Sequence, residues 1–258
     1  MSSLLRIEDS DGVRLMVINR PDALNALNMN LYDAIRDGLN EAAVRDDIAV
    51  VVITGEGRAF CAGTDLGELA NPPKPDDNRP HGFEPFMDTL QTFPKPLIAA
   101  VNGIGIGIGL TMLPHCDLVL MAEDARLRAP FVELGVTAEA GSTYLLPATI
   151  GWAETAHLLY TAGWVDADKA VEIGLAWRKV ANAQLMPEAM ALAGKIARMP
   201  VSSLVATKKL LLDARVSGIN EARAREVPTF GGLVGGPANR EAITAFQEKR
   251  KPDFSKLR

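Results

Sequence analysis

An α/β fold is predicted for this chain by three observations. Short β-branched apolar runs end in Gly- or Pro-containing turns, stretches of helical period lie between them, and strand signals cease after about residue 197. The 258 residues are 48% apolar and 23% charged, a soluble globular composition with enough apolar side chains for one large core. The expected organisation is a strand–helix core over 1–196 and a helical region over 197–258.

VRLMVI (Val13–Ile18) is β-branched and bounded by Asp11-Gly12 and Arg20-Pro21, which marks a strand. Leu31, Ile35, Leu39 and Ala42 recur at helical spacing and predict a helix over 28–44. IAVVVIT (48–54), PLIAAV (96–101) and LVLMA (Leu118–Ala122) are short apolar runs of the kind buried inside a sheet. Helices are expected at about 107–113, 153–161, 167–173 and 184–197. Further helices are expected at 201–214, 220–226 and 240–249, the last two separated by a flexible joint at Gly231-Gly232 and Gly235-Gly236-Pro237. Seven of the 16 prolines fall within residues 70–96. No regular ladder or helix runs throughout such a stretch, so it reads as an irregular excursion, either a solvated loop or a lid beside a pocket.

Acidic residues (32) outnumber basic ones (27), a net charge of −5. That sign gives no electrostatic reason to bind nucleic acid or an anionic membrane. Two cysteines, Cys61 and Cys116, make no disulfide framework and no zinc motif, and they read as small buried hydrophobes. His115 reads as a helix-end residue and His81 and His157 as surface groups, so no metal is expected. The first residues hold no long apolar run and Ser255-Lys256-Leu257 is followed by Arg258. A cytoplasmic protein without a peroxisomal address is therefore expected.

Three segments carry candidate chemistry. AFCAGTDLGE (59–68) follows the end of a strand and leads into a helix expected after Asp65, with Asp65 and Glu68 spaced as a capping box and small residues at 62 and 63 admitting a close ligand. NGIGIGIGL (102–110) follows the strand at 96–101. It fails the dinucleotide fingerprint and lacks a P-loop lysine, which leaves a glycine-lined helix start with free N–H groups suited to an anion or a polarised carbonyl oxygen. In APFVELGVTAEAGST (129–143), Glu139 lies among small residues, where burial would raise its pKa and favour a general base; a surface-loop glutamate is the alternative. Glu133 competes, although its place after Pro130 suits the first turn of a helix.

Taken in order, these blocks resemble the crotonase family, the enoyl-CoA hydratase/isomerase superfamily. Arg20-Pro21, Asn25-Ala26-Leu27, Phe60 to Leu66, Lys95 to Gly103, Cys116-Asp117-Leu118 and Phe246 to Pro252 all match family blocks, across nearly the whole chain. The resemblance implies a spiral of ββα units with a C-terminal helical trimerisation region, and a homotrimer or dimer of trimers. It implies an acyl-CoA thioester substrate of fatty acid metabolism, with no cofactor beyond the coenzyme A that the substrate carries. The enolate would be held by the backbone N–H groups of Thr64 and Ile108. The family's substrate-binding positions correspond to Ala23, Leu24, Ala62, Gly63, Asp65, Leu66, Gly107, Phe131, Phe246 and Lys249.

The departure from the family pattern is informative. Where hydratases of this family carry two glutamates, this chain has Thr111 and Phe131. Glu139 falls where the peroxisomal-type Δ3,Δ2-enoyl-CoA isomerases carry their single catalytic glutamate. One base suffices to move a double bond, so the resemblance implies conversion of 3-enoyl-CoA to 2-trans-enoyl-CoA with Glu139 as proton shuttle. Hydration, dienoyl-CoA isomerisation, thioester cleavage and non-catalytic acyl-CoA binding are the alternatives. Dienoyl isomerisation calls for a second acid/base, and apart from Glu133 no carboxylate lies near Glu139 in sequence.

Overall fold

The computed structural model describes residues 3–70, 74 and 78–257. The chain opens with a hairpin of β1 (Leu5–Ser10) and β2 (Val13–Ile18) across Asp11-Gly12, both at positive φ as a tight primed turn requires. Helix α1 (Met29–Val44) begins at Asn28, whose side-chain oxygen accepts from the Leu31 amide at 3.0 Å. It buries Leu31, Ile35, Leu39 and Ala42, the stripe its spacing predicts. Next come β3 (Val50–Gly55), β4 (Ala59–Cys61), α2 (Leu66–Ala70) and α3 (Phe83–Thr92). They are followed by β5 (Leu97–Val101), β6 (Ile104–Ile106), α4 (Ile108–Thr111), β7 (Leu118–Ala122), β8 (Arg126–Arg128), α5 (Ser142–Ile150) and α6 (Trp152–Thr161). Strand β9 (Trp164–Asp166), α7 (Ala167–Glu172), β10 (Arg178–Val180) and α8 (Leu185–Ala197) lead to three helices, α9 (Val201–Asp213), α10 (Val216–Leu233) and α11 (Pro237–Gln247).

One sheet has the order β1-β2-β3-β5-β7-β10, parallel except for β1. A second sheet has the order β4-β6-β8-β9, with β4, β6 and β8 parallel and β9 reversed. The chain alternates between them, giving β3 then β4, β5 then β6, and β7 then β8, each pair followed by a helical turn. This is the expected spiral of ββα units. Every residue of β3 and β5 is buried, because sheet and helices cover both faces. The spiral also sets the site. Parallel neighbours end side by side, so the chain leaving β4, β6 and β8 emerges along one edge.

Several expectations need correction. The 70–96 stretch is not irregular throughout: α3 spans ten of its residues, with Pro85 in the first turn, where no helical amide is required. Pro72, Pro73 and Pro75 lie outside the described residues. Gly231 and Gly232 are not a joint but the last turn of α10, and the break comes at residues 234–236. His81 is no surface group, since its side chain is 8% exposed and its Nδ1 meets the Asp33 carboxylate. His157 is exposed, and both cysteines are free and buried.

The C-terminal helices are tied to the spiral by charge pairs. Lys208 on α9, 4% exposed, donates to both Asp117 oxygens at 2.6 Å, while Asp117 accepts from the Leu97 amide at 2.8 Å. Arg223 on α10 reaches Glu84 and Asp88 on α3, each at 2.7 Å. Among the described residues no helix is long and apolar enough to cross a membrane.

Candidate active site

The chain leaving β4 turns through Ala62, Gly63 and Thr64. Thr64 makes an isolated parallel bridge with Leu27, in which the Gly63 carbonyl accepts from Leu27 and the Asp65 amide donates back to Leu27. That pattern directs the Thr64 amide the other way, and it has no backbone acceptor among the described residues. The chain leaving β6 turns at Gly107 (φ 56), whose backbone a side chain would strain, and enters α4 at Ile108. The Ile108 amide, in the first helical turn, also lacks a backbone acceptor among the described residues. The two turns touch: a Cβ placed on Gly107 would lie 3.9 Å from the Gly63 Cα, and one on Gly63 would lie 3.2 Å from the Ile106 carbonyl oxygen. Packing this close rests on Gly109 too, where a Cβ would come within 2.2 Å of the Cys61 carbonyl oxygen.

Thr111 follows Ile108 by three residues on α4 and is fully buried. Its Oγ1 donates to Glu139 Oε1 at 2.9 Å. Glu139 stands before Ala140, which has φ 64, a left-handed conformation costing a non-glycine residue about 1–2 kcal/mol. Burial pushes the Glu139 carboxyl up to about 8; the Thr111 hydrogen bond opposes that, and the negative charges of Glu226 and Glu84 add to it. A cavity of about 210 Å³ brings Glu139 together with Thr64, and Phe83, Val227 and Phe230 supply its apolar wall.

Three other polar groups of this cavity escape sequence analysis: Glu84 on α3, and Arg223 and Glu226 on α10. No sequence signal marks them, because α3 and α10 reach the site only through tertiary packing. Glu226, 4% exposed, accepts from the Gly141 amide (2.6 Å) and from the Thr143 amide and hydroxyl (2.8 and 2.6 Å), and so caps the start of α5. Tyr32 on α1 is buried, and its hydroxyl lies 2.7 Å from Thr64 Oγ1. Desolvation and the nearby Glu139 carboxylate hold this phenol well above its usual range. Burial pushes the Cys61 thiol up to about 12, so it offers no thiolate nucleophile.

Ala23 ends the short 3-10 turn Pro21–Ala23 and Leu24 follows it in the left-handed region, its carbonyl accepting from the Ala62 amide at 3.0 Å. Asp65 caps α2, accepting from the Gly67 and Glu68 amides, and pairs with Arg20 at 2.6 Å. The expected capping box is half formed, since Glu68 accepts from the Met29 amide while the Asp65 amide bonds to Leu27. Leu66 opens α2. Phe131, just beyond β8, lines a separate apolar cavity of about 310 Å³ with Val136, Ala138, Pro147 and Trp152. Glu133 pairs with Arg128 at 2.7 Å and does not line the Glu139 cavity. Phe246 lies in the last turn of α11, 63% exposed, and neither it nor Lys249 lines that cavity in the single chain. No group of three or more metal-ligating side chains occurs among the described residues.

The sequence profile of the enoyl-CoA hydratase/isomerase family matches residues 8–257. The chain is 35% identical over 257 residues to 2,3-dehydroadipyl-CoA hydratase of Escherichia coli, covering 98% of this chain and 99% of that protein. It is 32% identical over 250 residues to the 1,2-epoxyphenylacetyl-CoA isomerase of the same organism, covering 95% of each. Hydratase names predominate among the relatives. Among solved structures, an enoyl-CoA hydratase/isomerase from Pseudoalteromonas atlantica superposes with a TM-score of 0.94 at 33% identity, covering 98% of this chain and 100% of that one. The profile match over residues 8–257 and a spiral of ββα units matched end to end show that this chain belongs to the enoyl-CoA hydratase/isomerase family.

Proposed function

We propose that the protein shifts a double bond, converting 3-enoyl-CoA to 2-trans-enoyl-CoA. The thioester oxygen accepts from the Thr64 and Ile108 amides, which stabilise negative charge as it develops; losing one such donor typically costs a factor of about 10²–10³. Glu139 takes a proton from C2, the C2 electron pair becomes the dienolate, and the same carboxyl returns the proton to C4. The double bond moves from C3–C4 to C2–C3, with no atom gained or lost.

The observation that carries this proposal is Glu139, a carboxyl in the same cavity as Thr64, with burial raising it to about 8. A base of that strength is matched to proton transfer near neutral pH. Thr111 and Phe131, standing where the resemblance assigns two hydratase carboxylates, argue further for a one-base reaction. The test is incubation of 3-hexenoyl-CoA with wild type and Glu139→Gln. Conjugated thioester from wild type and a loss of about 10²–10⁴ in the variant are expected. Equal rates, or no conjugated product from wild type, overturn the proposal.

Hydration is the second reading, favoured by the names of most relatives and by two further carboxylates in the same cavity, Glu84 and Glu226. Mass analysis of the product separates the two, because hydration adds the elements of water. The exposed Trp152, Tyr160, Leu210 and Leu211 on α6 and α9 suit the self-assembly that the family resemblance implies.

A further inference from the structure

We propose that His115 is the positioning residue for Glu139, gripping the Ala140–Gly141 peptide unit just beyond it and tying the carboxylate to the segment that carries the Ile108 amide. The proposal rests on Glu139 being the group that moves the substrate's proton.

His115 ends the 3-10 turn Leu113–His115, directly after α4, and is 1% exposed. Its Nε2 lies 2.8 Å from the Ala140 carbonyl oxygen. A carbonyl only accepts, so Nε2 bears the proton. Desolvation holds the imidazole down to about 4, so the ring is neutral and Nδ1 is an acceptor. That Nδ1 is buried with no hydrogen-bond partner among the described residues. A residue needed for packing alone would be apolar; a buried ring with one bare nitrogen calls for a reason.

The Ala140–Gly141 peptide unit supplies one. His115 donates to its carbonyl, and its N–H donates to Glu226 Oε2 at 2.6 Å. Both ends of the unit are pinned, which fixes ψ of Ala140 and φ of Gly141, and both residues are in the left-handed region (φ 64 and 70). An alanine stays there only where its surroundings hold it. Thr111 and His115 are four residues apart, and between them they hold the Glu139 side chain and the main chain just beyond it. Ile108 begins the same short segment. The base and one oxyanion donor are thus tied to one short piece of chain, a relation that catalysis tolerates poorly when it slackens.

The experiment compares His115→Leu, which removes the donor, with His115→Gln, whose side-chain amide restores an N–H toward Ala140. His115→Leu is expected to lower kcat about ten- to a hundredfold with KM changed less than about twofold. Its pH–kcat profile should move down toward the ordinary carboxylate range as the freed carboxylate finds water. His115→Gln should recover most of kcat and the original profile. The Glu139 titration is read independently by carbon-13 NMR of its carboxyl in the substrate-free protein. If 3-enoyl-CoA proves not to be a substrate, the functional proposal fails while this measurement still tests His115. A wild-type titration in His115→Leu, or identical behaviour of the two variants, overturns the proposal. Should His115→Leu not fold, nitrogen-15 NMR of wild type decides: a slowly exchanging Nε2–H supports the grip, and an Nδ1-protonated or freely exchanging ring contradicts it.

Discussion

Replacing Thr111 with valine removes the hydroxyl that reaches Glu139 Oε1 at 2.9 Å and keeps the buried shape almost unchanged. The hydroxyl also lies 3.3 Å from the Gly107 carbonyl, but its single proton favours the shorter contact to the carboxylate. That contact is what opposes burial and keeps Glu139 near 8. A hydrogen bond to a charged group is worth about 1.5–3 kcal/mol, and about 1.4 kcal/mol changes an ionisation equilibrium tenfold. Removing it therefore lowers the ionised fraction of Glu139 at pH 7 by about ten- to a hundredfold. The sign is fixed, because the working base exists above the folded pKa and is lost as pH falls through it. The assay is kcat/KM for 3-hexenoyl-CoA from pH 6 upward. Thr111→Val should be about ten- to a hundredfold slower at pH 7 and should converge on wild type as pH rises beyond 8. A loss equal at every pH, or a profile displaced to lower pH, would refute the assignment of Glu139 as the base tuned by Thr111.

Glu139→Gln should change stability in a pH-dependent way. The wild-type carboxyl, raised from 4.5 to about 8, favours the fold fully below its unfolded value, and that contribution is lost as pH rises to 8. The amide does not titrate, so the variant should melt like wild type at pH 5 and higher than wild type at pH 9. The shift sets an upper bound of about 5 kcal/mol on the difference, reduced by partial contact with solvent. Equal melting temperatures at pH 9 would show that Glu139 is not desolvated. Glu226→Gln removes the charge that caps α5 and helps raise Glu139. It should cost about 1–3 kcal/mol in urea and lower the Glu139 titration point, and an unmoved titration point would sever the two groups. Gly109→Ala forces a Cβ to within 2.2 Å of the Cys61 carbonyl oxygen. Relief requires the two turns to part, so a loss of about 3 kcal/mol or more is expected; an unchanged urea midpoint would mean that the turns are not locked together.

The buried strands were legible from sequence because β3, β5 and β7 are continuous apolar runs, and α1 because its stripe keeps helical period over four turns. Strands β4, β6, β8, β9 and β10 were not, since three residues are too few to show a period. Nor was β1, whose side chains are mostly exposed, although Asp11-Gly12 is the turn of its hairpin. Helix α5 was hidden by Gly141, Ser142, Thr143 and Pro147, all turn-formers by composition, and its start is secured instead by Glu226 from α10. The same reason explains the site. Thr64, Ile108 and Glu139 follow recognisable glycine and small-residue turns, whereas Glu84, Arg223, Glu226 and Tyr32 enter from helices remote in sequence. Proline density misled at α3, because Pro85 sits where a helix tolerates it.

The most direct measurement is a crystal structure with an unreactive 3-enoyl-CoA analogue bound. The thioester oxygen should lie about 2.7–3.1 Å from the Thr64 and Ile108 amide nitrogens, with C2 about 3–3.5 Å from a Glu139 carboxylate oxygen. A thioester seated away from those amides, or Glu139 turned from C2 while another carboxylate faces it, would contradict the one-base isomerisation.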